Sequence, residues 1–112
     1  MDAVLDVPGA VTLDASGNGT VTLQPEGFRT WRVTTINVRT NQGTTTTPVP
    51  QCTVYLGAKG DGNIKAQTWM GNRATATGDI TVQPSQLLLI EWTNGVPGSR
   101  ATVNVYGTMT MR

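Results

Sequence analysis

The stretch ATVNVYGTMTM, residues 101–111, alternates with a period of two. Val103, Val105, Met109 and Met111 fall on one side, and Thr102, Asn104, Tyr106, Thr108 and Thr110 on the other. That pattern describes a strand with one face in a core and one face in water. Its neighbour upstream, LLLIEWT at residues 87–93, is a nearly continuous apolar run. A run this short reads as a strand in the middle of the domain.

The same period recurs towards the amino terminus. Val11 and Leu13 alternate with Thr12, and beyond Gly17, Asn18 and Gly19 the alternation resumes with Val21 and Leu23 against Thr20 and Thr22. Asn-Gly readily takes the positive φ of a tight turn, so residues 11–23 are expected to form a hairpin. In WRVTTINVRT, Trp31 and Val33 lie in one phase and Ile36 and Val38 in the other. A strand changes phase only by inserting a residue, which predicts a bulge near Thr34 and Thr35. Residues 51–56 are expected to place Cys52, Val54 and Leu56 on a buried face and Thr53 and Tyr55 on the opposite one. Ile64, Ala66 and Met70 alternate with Lys65, Gln67 and Trp69, and a short strand is expected around Ile80 and Val82. Residues 41–50, NQGTTTTPVP, and residues 71–78 read as exposed loops.

These segments make about eight short strands separated by turn signals. Threonine is the commonest residue, and sustained runs of helix formers are absent. The expected fold is all-β: a single-domain antiparallel β-sandwich spanning residues 10–112, with the jelly roll among the topologies this allows. Residues 1–9 are expected to form an extended arm, because Pro8 disfavours helix at Val7 and the segment is mildly acidic.

Composition excludes several kinds of chemistry. Eight basic residues against seven acidic ones leave a net charge of +1, which creates no global field to recruit nucleic acid or an anionic membrane. The chain contains no histidine, so Ser-His-Asp and Cys-His catalysis and the usual zinc sites are ruled out. Cys52 is the only cysteine and reads as a small buried hydrophobe. The first residues, MDAVLDVPGA, carry acids where a signal peptide carries Lys or Arg, and no apolar run is long enough to span a bilayer as a helix. Synthesis in the cytoplasm, without a signal peptide, is the expectation.

The remaining chemical signals are weak. Glu91, between Ile90 and Trp92, is the one acid placed for glycosidase chemistry, which needs a second carboxyl group nearby; it is expected to face outward or to pair with an arginine. Asp61, Asn63 and Asp79 could offer oxygen ligands to calcium, but they fall short of six ligands and sit in ordinary turn dipeptides. No enzyme activity, metal or cofactor is therefore expected. Trp31 and Trp92 read as core. Tyr55, Trp69 and Tyr106 fall on polar phases, where they could anchor an interface or stack on a sugar ring.

Read in order, WRVTTINVRT, PQCTVYLG, TWMGNRATATGD and LLLIEWTNGVPGSRATVNVYGTM resemble small β-sandwich virion proteins of tailed bacteriophages, particularly those of actinobacterial hosts. The likeness runs from about Arg29 to Met109 and rests on structural motifs, so it brings no catalytic residues with it. It implies a non-enzymatic virion structural protein. The form expected here is a capsid decoration or minor capsid protein on the outer surface of the head, binding the major capsid protein or sister copies as a homo-oligomer, with a trimer as the guess by analogy. The expected contacts are Asp2, Val4, Leu5, Asp6 and Val7 of the arm and Thr44, Thr45, Thr46 and Thr47 of the loop. The alternative is a minor tail or receptor-binding module that recognises host surface glycans through Tyr55, Trp69 and Tyr106. Neither nucleic acid nor membrane is an expected partner.

Overall fold

The computed structural model describes residues 2–41, 49–68, 70–71 and 73–110, apart from the side chain of Asp2. The chain forms β1 (Asp2–Thr12), β2 (Gly19–Leu23), β3 (Thr30–Thr40), β4 (Gln51–Leu56), β5 (Ile64–Thr68), β6 (Arg73–Val82), β7 (Leu88–Thr93) and β8 (Arg100–Thr110). A 3-10 turn, Asp61–Asn63, precedes β5. Two four-stranded sheets result, sheet A in the order β1-β8-β3-β6 and sheet B in the order β2-β7-β4-β5. All pairings are antiparallel, and four of them, β1 with β8, β2 with β7, β3 with β6 and β4 with β5, nest inside one another. The chain thus behaves as one long two-stranded ribbon, with the β4–β5 turn at its tip, rolled so that successive ribbon segments fall in alternate sheets. This is the jelly-roll arrangement.

The bulge expected from the phase change is present. Register slips between Val33 and Thr35 against both β8 and β6, so Thr34 is the extra residue on the β8 side. On the other side the slip is taken up in β6, where Gly78 and Asp79 lie between the pairs Thr35–Thr77 and Val33–Ile80. Arg32 closes over this kink with two hydrogen bonds of 3.0 Å to the carboxylate of Asp79. Their hydrogen bond and charges hold Asp79 below its ordinary value and Arg32 above its own. Both side chains are exposed, so the pair steers the local strand path more than it adds stability.

The core lies between the sheets. Leu5, Val82, Leu88, Ile90, Trp92, Ala101 and Val105 are all 0% exposed. Trp31 is also buried, as its apolar setting predicts, and Trp92 donates its indole N–H to the carbonyl of Gly71 at 3.0 Å. Residues 88–93 prove to alternate after all: Leu88, Ile90 and Trp92 face the core while Leu89, Glu91 and Thr93 are half-buried on the outer face. Leu89 masks the period in the sequence. Cys52 is buried, and burial, with a smaller effect from Glu91, pushes its thiol up to about 12. It is an inert packing group.

Three expectations about strands are corrected. Residues 2–9 are not a separate arm but the first part of β1, which pairs with β8 from Asp2–Thr110 through to Thr12–Arg100. Pro8 fits because β1 is an edge strand, where a missing N–H is tolerated. Residues 11–23 do not form a hairpin, since β1 and β2 lie in different sheets. A tight turn is present, but one step earlier than expected: Asp14 Oδ1 accepts from the N–H groups of Ser16 (2.8 Å) and Asn18 (3.0 Å), and the positive φ, 78°, falls on Gly17 and not on Asn18 or Gly19, which already opens β2. Those contacts, that of Asn18 foremost, hold the Asp14 carboxyl below its ordinary value. The backbone of Leu13, however, bonds to Ser99 and Gly98, which turns the chain across to the second sheet. Residues 73–78, expected in a loop, belong to β6; their inward side chains, Ala74 and Ala76, are too small to mark a core-facing strand.

Candidate functional site

Leu5, expected as a contact, is wholly buried and belongs to the core. Val7 is half-buried against it, while Val4 and Asp6 remain on the outer face of sheet A, Val4 at 80% exposure. Tyr55 is buried despite its polar phase. β4 is an inner strand of sheet B, and long side chains cover its outer face: Lys59 reaches back to Glu91 at 3.0 Å, and Gln67 donates to Thr53 at 3.4 Å. Glu91 therefore faces outward, as one of the two expected alternatives had it, and its partner is a lysine and not an arginine; its hydrogen bond and charge raise the Lys59 ammonium above its ordinary value. Asp79 lies in sheet A, bound to Arg32, whereas Asp61 and Asn63 lie in the turn entering sheet B, with Asn63 donating to the carbonyl of Ala58. The three do not converge. Thr44, Thr45, Thr46, Thr47 and Trp69 lie outside the described residues.

Cross-strand register shows how the outer face of sheet A is built. Ala10, Thr102, Arg39 and Arg73 lie abreast across β1, β8, β3 and β6. The next outward row is Pro8, Asn104, Asn37 and Thr75, followed by Asp6, Tyr106, Thr35 and Thr77. Arg100 stands two residues before Thr102 on the same face of β8. Arg39, Arg73 and Arg100 are exposed, and none makes an ion pair among the described residues. Tyr106 is half-buried and borders an open depression of about 780 Å³ together with Asn37, Arg39, Arg73, Thr75 and Asn104.

The two ends of the face differ. At the end remote from the arginines, Thr30 and Thr110 pair, and beyond them Phe28 is 77% exposed at the mouth of a groove that includes Gln83 and Pro84. Val4 lies near this end, opposite Thr108. An exposed phenylalanine and valine stand at one end, and three arginines without ion pairs among the described residues stand at the other, where the exposed Met70 also borders the depression. The arginine cluster was hidden in the sequence, because Arg39, Arg73 and Arg100 meet only through strand register. Phe28, in the break between two strands, carried no periodic signal.

No protein-family model, curated protein or solved structure matches the chain.

Proposed function

We propose that the chain is a non-enzymatic structural protein of a bacteriophage particle, a capsid decoration protein that seats on the major capsid lattice through the Val4 and Phe28 end of sheet A. The observation that carries this reading is the pair of large apolar side chains, 80% and 77% exposed, at one end of a domain whose other large apolar residues are mostly in the core. Exposed groups of this kind serve as anchors in interfaces. The jelly roll supports the reading by analogy, since capsid proteins commonly use it, although lectins do too. The arm expected on the lattice is replaced by an edge strand, whose outward residues Val4 and Asp6 keep the role of contacts. Repetition over a lattice would let individually weak contacts add through avidity.

The test is binding of purified protein to capsid shells that lack it. Val4→Thr combined with Phe28→Ser is expected to weaken attachment by about thirtyfold or more, the size of an anchor-residue effect. Both positions are exposed, so the melting temperature should stay close to that of the wild type. Unchanged attachment by the folded double variant would remove this end as the seat.

A further inference from the structure

We propose that the depression on the outer face of sheet A is a binding site for an acidic saccharide, a sugar chain carrying carboxylate or phosphate groups. The site lies at the arginine end of the face, away from Val4 and Phe28, so it goes beyond the lattice contact and is independent of it.

The first argument is charge. Arg39 and Arg73 are directly opposed across β3 and β6, and Arg100 lies on the same end of the face. Like charges opposed across a strand pair destabilise a sheet, and among the described residues no carboxylate relieves these. An anion between the two guanidinium groups turns that repulsion into paired, charge-assisted hydrogen bonds. The second argument is the rest of the lining. Thr75 donates its hydroxyl to Asn37 Oδ1 at 2.6 Å, which fixes the amide and leaves its N–H₂ group available. Asn104 and Tyr106 flank it on β8. Amides and hydroxyls that both donate and accept, beside an aromatic ring, suit the hydroxyl-dense surface of a sugar. The volume, about 780 Å³, is that of a small-ligand site.

The third argument separates a saccharide from an acidic peptide. Tyr106, Asn104, Asn37 and Arg39 stand on β8 and β3, the two inner strands of sheet A, so the backbone beneath them is engaged in the ladder, whereas Arg73 and Thr75 stand on the edge strand β6. An extended peptide could add as a strand only along the outer edge of β6, beside the depression; over β8 and β3 recognition comes from side chains, and titration with an oligoglutamate separates the two.

Calorimetric titration of the full chain provides the test, with five probes: an oligogalacturonate, a glycerol-phosphate oligomer, a neutral maltooligosaccharide, an oligoglutamate peptide and a single-stranded DNA. The expected result is saturable binding of at least one of the first two, with the carboxylate and phosphate arms identifying which anion is read. Binding of the neutral sugar, the peptide and the DNA should be at least tenfold weaker. Arg39→Gln with Arg73→Gln should reduce binding tenfold or more while melting at the same or a slightly higher temperature, since the cross-strand repulsion is gone. Asn37→Ala should reduce binding severalfold, and both variants should attach to capsid shells as the wild type does. No binding of either acidic sugar, equal binding of peptide or DNA, or binding indifferent to the arginine substitutions would each overturn the site. Because shell attachment is measured on the same variants, failure of this site and failure of the lattice seat are told apart.

Discussion

A chain lacking residues 1–9 is expected not to fold. The deletion removes most of β1, which pairs with β8 over eleven residues, and uncovers β8 from Val103 to Thr110. It also removes Leu5, which is 0% exposed. Loss of a buried leucine alone costs about 2–5 kcal/mol, while the total stability of a small domain is about 5–15 kcal/mol. Losing the ladder and the partial burial of Val7 as well exceeds what such a margin can absorb. The measurement is a thermal or denaturant melt with an amide proton spectrum: no cooperative transition and collapsed dispersion are expected. A sharp melt and a dispersed spectrum would show that the first strand is dispensable and that residues 1–9 act as an appended arm.

Gly107→Ala is expected to destabilise the domain by about 2–3 kcal/mol, a fall in Tm on the order of 10 °C. Gly107 sits in β8 opposite Val33, where β3 bulges. A Cβ there would meet the carbonyl oxygen of Arg32, and would lie 3.1 Å from the backbone nitrogen of Thr34. These are backbone atoms held by two ladders, so they cannot swing aside as a side-chain tip can. Gly62→Ala is the control, since a Cβ at Gly62 meets nothing within 4 Å; its melt should be nearly unchanged. Equal melts for the two variants would contradict the described packing at the bulge.

The bulge also marks how far the sequence could be read. Its position followed from one local fact, the change of apolar phase between Val33 and Ile36, because register is a property of neighbouring residues. A turn was legible from Gly17, Asn18 and Gly19, close to the observed one at Asp14–Asn18, but the same turn chemistry serves a hairpin and a crossover between sheets. Only the partners of Leu13, some eighty-five residues away, decide between them. The pairing of β1 with β8 joins the two ends of the chain and leaves no local trace, which is why residues 1–9 read as an arm. Tyr55 failed for a further reason. A polar phase reports which face a residue is on, not whether Lys59, Glu91 and Gln67 cover that face.

The candidate surface was least legible. Of the residues expected to make contacts, Val4, Asp6 and Tyr106 stand on the outer face of sheet A, while Leu5 is in the core and Tyr55 is covered on the outer face of sheet B. The arginines that give this face its character are far apart in sequence, at positions 39, 73 and 100. They come together through the rolled ribbon.

The central functional claim, attachment to the head, is tested most directly by locating the protein in purified virions and counting its copies, by cryo-electron microscopy with quantitative mass spectrometry. Hundreds of copies on the outer head surface, each with Val4 and Phe28 towards the shell, are predicted. A few copies confined to the tail, or none in the particle, would contradict it.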